Sequence, residues 1–193
     1  FIAEQIENIH YQLGPNSFFQ TNTEQAKNLY RIAMDMANLQ KTDLVFDLYT
    51  GLGSIALLIA GRCRRVVGVE TVESAVDDAR KNALFNGVHN CEFVCGNMDK
   101  IFNADFIATY GKPDVIITDP PRAGMHKDVV AQILDLAPRR IVYISCNPAT
   151  QARDIHLLSA KYRVEQLQPV DMFPHTFHIE NIALLARVEA CNN

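Results

Sequence analysis

Short, β-branched apolar runs alternate with helix-like segments along most of this chain, and this alternation constrains the fold more than any other feature. The apolar runs lie at 44–48, 65–70, 92–94, 115–118 and 141–144. The segments with helical apolar spacing lie at 23–38, 54–62, 72–86, 127–136 and 149–161. Strands that are apolar throughout and separated by helices are typical of a parallel sheet buried on both faces. The chain is therefore predicted to form a doubly wound α/β domain.

Two further strand-like stretches follow the last helical segment, at 162–170 and 182–188. The loop between them is too short to hold a crossover helix, so they are predicted to pair as an antiparallel hairpin at one end of the sheet. With the five earlier runs, they predict a Rossmann-like, mostly parallel sheet of seven strands with an antiparallel C-terminal hairpin.

Composition limits the classes of protein that fit this chain. Its 193 residues are 48% hydrophobic, enough for one full core, so residues 1–193 are expected to form a single domain. The net charge of −4 is not that of a protein that binds nucleic acid through charge alone. We expect a monomer in the reducing cytoplasm, since no secretory leader or membrane-spanning apolar run is present. The chain begins at Phe1, and its first residues already resemble a strand, so it is expected to be a piece of a longer protein.

Cysteine is used in two different ways. Five cysteines are scattered without metal-ligand spacing, which predicts neither a metal nor an iron–sulfur site. Cys146, however, follows the strand-like run 140–144 and precedes a helix-start signal in which Asn147 is the cap and Pro148 the first helical residue. Backbone N–H groups at a helix start favour thiolate, so the pattern predicts a nucleophile with a lowered pKa. The alternative is a small buried hydrophobic residue at a strand end.

A glycine-containing turn follows the first core strand. Gly51 and Gly53 allow backbone to approach a ligand where a helix begins at Ser54, but dinucleotide folds share this feature. Acids end the first and second strands, at Asp47 and Glu70, and the second acid stands where it would accept hydrogen bonds from a ribose diol. This arrangement suits the ammonium and sulfonium of S-adenosylmethionine better than a pyrophosphate, which needs donors.

A second group of polar residues lies at the ends of later strands. Asp119 and Arg122 flank a stiff Pro-Pro pair after the fourth strand, at the carboxyl edge where open α/β sheets place their sites. The loop 171–180 is rich in aromatic, acidic and histidine side chains. Within it, Glu180 is the candidate base, and His175 and His178 are candidate orienting or substrate groups. The stretch 16–22, which includes Phe19, offers stacking faces and amides; alternatively, it is a hydrophobic staple before an N-cap.

Six motifs in order resemble the S-adenosylmethionine-dependent RNA uracil-5-methyltransferases of the RumA/TrmA group. The resemblance runs from about Ser17 to the C-terminus. The motifs are Asn-Ser-Phe-Phe-Gln-Thr-Asn at 16–22, Asp-Leu-Tyr-Thr-Gly-Leu-Gly at 47–53, Val-Gly-Val-Glu at 67–70, Asp-Pro-Pro-Arg at 119–122, Ser-Cys-Asn-Pro at 145–148, and Asp-Met-Phe-Pro-His-Thr at 171–176 with His-Ile-Glu at 178–180.

The resemblance implies a function and a role for each site residue. It implies transfer of a methyl group to carbon 5 of a uridine in RNA, with Cys146 as nucleophile and Glu180 as general base. Ribosomal RNA is the expected substrate, with transfer RNA as the alternative. The family's N-terminal RNA-binding barrel is absent from this sequence. The resemblance places around the cofactor and target base Gln20, Tyr49, Gly51, Ser54, Glu70, Asn97 and Asp119, and we add as substrate contacts Phe19, Arg122, His175 and His178.

Several other functions share parts of this pattern. A cytosine-5 RNA methyltransferase commonly has a cysteine after Asp-Pro-Pro, where this chain has Arg122. An amino-group methyltransferase would have an aromatic residue there and no thiol. A nicotinamide oxidoreductase could use the Gly51–Gly53 turn, and a non-catalytic RNA-binding module could use the fold alone.

Overall fold

The computed structural model describes residues 2–14, 19–176 and 178–188. The strands are β1 (Ile2–Ile6), β2 (Ile9–Leu13), β3 (Leu44–Leu48), β4 (Arg65–Glu70), β5 (Cys91–Cys95), β6 (Val115–Thr118), β7 (Arg140–Ser145), β8 (Tyr162–Val170) and β9 (Glu180–Arg187). The helices are α1 (Thr23–Ala37), α2 (Ser54–Ile59), α3 (Glu73–Phe85), α4 (Ala104–Tyr110), α5 (Lys127–Leu136) and α6 (Pro148–Leu158), and a 3-10 turn, Ala60–Arg62, extends α2.

Seven of the strands form one sheet, in the order β5-β4-β3-β6-β7-β9-β8. The first five in this order are parallel, and β9 runs antiparallel to both β7 and β8. The predicted doubly wound, mostly parallel sheet with an antiparallel C-terminal hairpin is confirmed. The hairpin enters the sheet through β9, which leaves β8 as an edge strand with a bulge between Val164 and Gln166.

Both faces of the sheet are covered by helices, and alternate residues of a strand point to different cores. Val45 of β3 packs into the core that includes α1, α2 and α3, whereas Phe46 packs into the core that includes α4, α5 and α6. All five residues of β3 are buried, so neither face of this strand contacts solvent. This burial explains why the central strands are apolar throughout.

Two elements were not predicted as such from the sequence. Helix α4 is only seven residues long, and it begins where the Asn103 side chain accepts a hydrogen bond from the N–H of Phe106 at 2.9 Å. The strand-like start of the chain is a separate two-stranded hairpin, β1-β2, which packs on α3 rather than joining the main sheet.

Two asparagine side chains, one in α3 and one at its C-terminal cap, attach this hairpin to the domain. The Asn82 amide accepts from the N–H of Gln12 at 2.8 Å and donates to its carbonyl at 3.3 Å. The Asn86 amide does the same to His10, at 2.8 and 2.7 Å. Each amide thus satisfies one residue of the outer edge of β2, as a neighbouring strand would.

Candidate active site

A cavity of about 770 Å³ opens at the carboxyl ends of β3, β4, β6 and β7. It lies where the strand order reverses, with β4 on one side of β3 and β6 on the other, which is the usual ligand site of an open α/β sheet. Its volume is in the range of small-molecule and cofactor sites. The residues that line it are Phe19, Gln20, Thr21, Tyr30, Asp47, Tyr49, Thr50, Gly51, Ser54, Ile55, Glu70, Thr71, Asp119, Pro120, Pro121, Arg122, Cys146, Phe173, His178 and Glu180.

The turn after β3 has an unusual backbone. Tyr49, Gly51 and Gly53 have φ angles of 61°, 56° and 86°, in the left-handed region that glycine tolerates best. A side chain added at Gly51 would meet no atom within 4 Å, whereas one at Gly53 would press on Phe93 at 3.1 Å. Gly51 therefore leaves space on the cavity side, and Gly53 allows α2 to pack closely on the sheet.

Asp47 lies below this turn with only 1% of its surface exposed. Its Oδ2 accepts hydrogen bonds from the Thr50 hydroxyl at 2.5 Å and the Ala56 N–H at 3.1 Å, but its buried Oδ1 has no partner among the described residues. Burial raises the pKa of this carboxyl from 3.8 to about 7, and the charge of Glu70 adds to the effect. A cation bound in the cavity would favour the ionised form.

Glu70 fixes the opposite wall of the same end of the cavity. Its Oε2 accepts from the Gly51 N–H at 3.1 Å, and its Oε1 accepts from the N–H groups of Thr71 and Val72 at 2.7 and 3.0 Å. One carboxylate therefore joins the end of β4 to the glycine turn. The structure places it beside the cavity, as the sequence predicted for a ribose acceptor.

Cys146 lies between β7 and α6, as predicted. Asn147 caps the helix by accepting from the Ala149 N–H at 3.1 Å, and Pro148 is the first helical residue. The thiol is partly buried and lines the cavity. The expectation of a lowered pKa is wrong: burial, Glu180 and Asp119 raise the pKa of Cys146, and Arg122 opposes them only in part.

Two acids lie at the thiol end of the cavity. Glu180 is the first residue of β9 and is 7% exposed; burial raises its pKa from 4.5 to about 7. Burial also raises the pKa of Asp119 to about 8, and the charges of Glu180 and Asp47 add to this. Carboxyl groups that titrate near neutral pH can accept and return protons in a reaction, and such groups are concentrated at active sites.

Arg122 and His178 form a polar pair at the cavity mouth. The guanidinium Nη2 lies 2.9 Å from the His178 Nδ1. This contact joins the loop after β6 to the loop between β8 and β9. Arg122 and His178, two of the predicted substrate residues, thus meet beside Cys146. Phe173 lines the cavity from the same β8-β9 loop.

Phe19 and Gln20 close the cavity from the side of α1. The Phe19 ring lies 5.5 Å from that of Tyr11 in β2, and Gln20 is 7% exposed. The remainder of the predicted aromatic stretch, 16–18, lies outside the described residues. Sequence reasoning missed Tyr30, a buried residue of α1 that lines the cavity and hydrogen-bonds to Ser54. No signal could have separated it from an ordinary core tyrosine.

Two of the predicted site residues do not line the cavity. Asn97 is exposed, and its Oδ1 accepts from the N–H of Asp99 at 2.9 Å, which closes a turn after β5. His175 is exposed on the β8-β9 loop with a φ of 74°. Their assigned contacts stay predictions.

The described residues hold neither a metal site nor a membrane-spanning helix. They contain no cluster of three or more metal-ligating side chains. They also contain no helix long and apolar enough to cross a membrane. Cys63, Cys91 and Cys95 are free thiols away from the cavity, while Cys191 lies outside the described part.

Comparison with known proteins agrees with this geometry. The model of the tRNA (Uracil-5-)-methyltransferase family matches residues 2–188. An uncharacterized RNA methyltransferase of Porphyromonas gingivalis is 55% identical over 189 residues, which are 97% of this chain and 41% of that protein. One from Bacteroides thetaiotaomicron is 55% identical over 182 residues, 94% of this chain and 40% of that protein. The chain thus spans about two fifths of the length of these curated relatives.

A solved structure is similar over nearly the whole chain. It is the crystal structure of the Pyrococcus abyssi tRNA (uracil-54, C5)-methyltransferase in complex with S-adenosyl-L-homocysteine, with a TM-score of 0.84 and 37% identity, and the match covers 96% of this chain and 44% of that one. The resemblance stated from the motifs is therefore confirmed: this chain belongs to the family of S-adenosylmethionine-dependent RNA uracil-5-methyltransferases.

Proposed function

We propose that residues 1–193 form a catalytic domain that transfers a methyl group from S-adenosylmethionine to carbon 5 of a uridine in RNA through a covalent adduct with Cys146. The observation that carries this proposal is the shared cavity. A thiol and a carboxyl that titrates near neutral pH lie at one end, and a glycine turn with two acids lies at the other. A non-catalytic RNA-binding module needs no thiol and carboxyl in one cavity. The pyrophosphate of a nicotinamide cofactor would meet acids where it needs hydrogen-bond donors.

The cofactor end fits the charges of S-adenosylmethionine. Asp47 has a buried oxygen without a partner and a raised pKa, so a bound ammonium would relieve an unfavourable burial of charge. The Glu70 carboxylate suits a ribose diol. We assign to the same end Gly51, Tyr49 and Ser54, with Gln20 and Asp119 between cofactor and base. When bound, the cofactor supplies an electrophilic methyl group.

The thiol end supplies what carbon 5 of uracil lacks. This carbon is a poor nucleophile until the Cys146 thiolate adds to carbon 6, which produces an enolate that can attack the methyl group. Since burial, Glu180 and Asp119 disfavour the thiolate, we infer that binding of the RNA and the cationic cofactor promotes ionisation of the thiol. The positive charge of Arg122 favours the thiolate, and the cationic cofactor would add another when bound.

Glu180 completes the reaction as the general base. After methyl transfer, carbon 5 still carries a proton, and the Glu180 carboxylate is proposed to remove it so that elimination frees Cys146. A pKa of about 7 leaves about half of this carboxyl ionised at neutral pH. The target base must leave its stack to reach both residues, and Phe19, Pro120 and Pro121 offer flat surfaces against which it could lie.

The experiment that tests this function separates the two catalytic roles. Glu180→Gln should allow addition and methyl transfer but stop elimination, so a protein–RNA adduct that carries the labelled methyl group should persist on a denaturing gel. Cys146→Ala should give neither adduct nor product. Cys95→Ala removes an exposed thiol outside the cavity and is the matched control, expected to act as wild type. An adduct that forms without Cys146, or normal turnover by Glu180→Gln, would refute the assignment.

The RNA substrate is a separate question. Ribosomal RNA is our proposal, from the overall likeness of the motifs, and a transfer RNA is the second candidate because the Pyrococcus abyssi relative acts on one. Mass mapping of 5-methyluridine in RNA from cells with and without the gene decides between them. Loss of the modification from transfer RNA alone would overturn the ribosomal proposal.

A further inference from the structure

An ion pair between the buried Asp154 and the half-exposed Arg153 lies beneath the loop that follows β6. Asp154 of α6 has no exposed surface, and its Oδ2 accepts hydrogen bonds from the Tyr143 hydroxyl at 2.7 Å and from the Met125 N–H at 2.8 Å. Its Oδ1 accepts from the Arg153 guanidinium at 2.7 and 2.9 Å. One carboxylate therefore links strand β7, helix α6 and the end of the loop.

The neighbouring side chains hold the rest of this loop by its backbone. Arg153 donates to the carbonyls of Ala123 and Met125 at 2.9 and 3.2 Å. Asn147 and Thr150 each donate to the carbonyl of Arg122 at 3.2 Å. The loop comes so close to α6 at Gly124 that an added Cβ would lie 2.6 Å from the Asp154 carboxylate.

This attachment matters because α6 and the loop carry different parts of the proposed site. Cys146 directly precedes the helix, whereas Arg122 belongs to the loop and is the nearby positive charge that favours the thiolate. The Arg122 side chain is exposed and reaches His178 across the cavity mouth. Its position relative to the thiol therefore depends on where the loop backbone is held.

We propose that Asp154 and Arg153 are positioning residues for the reaction, which hold the loop after β6 so that Arg122 stays beside Cys146. The proposal rests on the proposed function, since it assigns a supporting role at the same site. Neither residue lines the cavity. They act through Arg122, and nothing in the family motifs quoted above includes them.

The charges around Cys146 give the proposal a distinctive sign. Glu180 from β9 and Asp119 from the loop disfavour the thiolate, Arg122 favours it, and His178 lies on the far side of Arg122. Removing the negative charge of Asp154 would by simple Coulomb effects favour the thiolate. Releasing Arg122 would disfavour it. The two explanations thus predict opposite changes.

The test measures the rate of alkylation of Cys146 by iodoacetamide against pH, with the modified peptide identified by mass spectrometry. Only the thiolate reacts, so the pH profile reports its population. Asp154→Asn should shift the profile to higher pH and slow the reaction at pH 8 by roughly threefold. In an Arg122→Ala background, Asp154→Asn should slow it no further, because residues that act in series are not additive.

Controls separate positioning from loss of structure. Tyr143→Phe removes another hydrogen bond from Asp154 but leaves Met125 bound, so it should lower Tm without moving the profile. Binding of S-adenosylhomocysteine should be unchanged in both variants. If Asp154→Asn does not fold, Arg153→Lys decides, since it keeps the positive charge of this half-exposed side chain but loses the paired guanidinium contacts, and it should shift the profile in the same direction.

The outcomes also distinguish this proposal from the proposed function. Alkylation at the wild-type rate or faster in a folded Asp154→Asn or Arg153→Lys protein overturns the positioning role. A slowed alkylation in an enzyme that forms no Cys146–RNA adduct would instead keep the positioning role and remove the covalent mechanism.

Discussion

Asp47→Asn should make the protein more stable at alkaline pH and weaken its cofactor binding. The buried carboxyl titrates at about 7 in the folded chain and at 3.8 when unfolded. Because the folded pKa is raised, the folded state binds the proton more tightly, and stability falls as pH rises from about 4 through about 7. The substitution removes this titration.

The magnitude follows from the two pKa values. Burial of this carboxyl destabilises the folded state by roughly 2 kcal/mol at pH 5 and roughly 4 kcal/mol at pH 8. Asparagine keeps an oxygen for the Thr50 and Ala56 donors, but it turns an N–H₂ group toward the position where Oδ1 has no partner, at a cost of about 1–3 kcal/mol. Relative to wild type, the free energy of unfolding of Asp47→Asn should therefore increase by about 2–3 kcal/mol between pH 5 and pH 8.

Urea denaturation of both proteins at pH 5 and pH 8 measures this difference. The other acids of the cavity titrate in both proteins, so most of their contribution cancels. Calorimetry at pH 8 should show weaker binding of S-adenosylmethionine by the variant, since its ammonium loses a carboxylate. If the difference in free energy of unfolding between the two proteins does not change with pH, the Asp47 carboxyl does not have a raised pKa in the folded state. If the variant binds S-adenosylmethionine as tightly as wild type, Asp47 does not belong to the cofactor site.

Two further results are expected at the two ends of the cavity. Glu70→Ala should weaken S-adenosylhomocysteine binding by about 1.5–3 kcal/mol in calorimetry, because the ribose loses a charged acceptor and the Gly51 N–H loses its partner. The control Glu73→Ala removes an exposed acid nearby and should bind as tightly as wild type. Equal affinities of Glu70→Ala and wild type would exclude Glu70 as the ribose acceptor. Decay of the covalent adduct in a single turnover should accelerate about tenfold from pH 6 to pH 8, because Glu180, with a pKa of about 7, accepts a proton only when ionised. A rate independent of pH over this range would assign the proton transfer to another group.

The sequence predicted the sheet well because its central strands are buried on both faces. Apolar runs such as Val115–Thr118 have no other suitable place in a folded chain, and caps such as Asn22 and Asn147 set the starts of α1 and α6. Helix α4 was missed because its seven residues span only about two turns, too few for a periodic pattern to be recognised.

The candidate site was predictable where a motif ends a strand. The ends of β3, β4, β6 and β7 meet at one sheet edge, which brings together Asp47, Glu70, Asp119 and Cys146. Asn97 was harder to place because it lies in the turn beyond the end of β5, and that turn, closed by its own side chain, holds it outside the cavity lining. The pKa of Cys146 depends on its burial and on acids that are distant in the sequence but close in space, and a local sequence pattern cannot show either effect.

The hydrogen bonds of Asn82 and Asn86 to β2 affect how the protein behaves in solution. A two-stranded hairpin is marginal alone, and its free edges are sites at which other chains can add a strand and begin aggregation. Asn82 and Asn86 occupy the outward N–H and carbonyl groups of Gln12 and His10, so that edge of β2 offers no template to a second molecule. Two asparagine side chains thus protect this edge from strand addition, for which other proteins use a further strand, a proline or a row of charges.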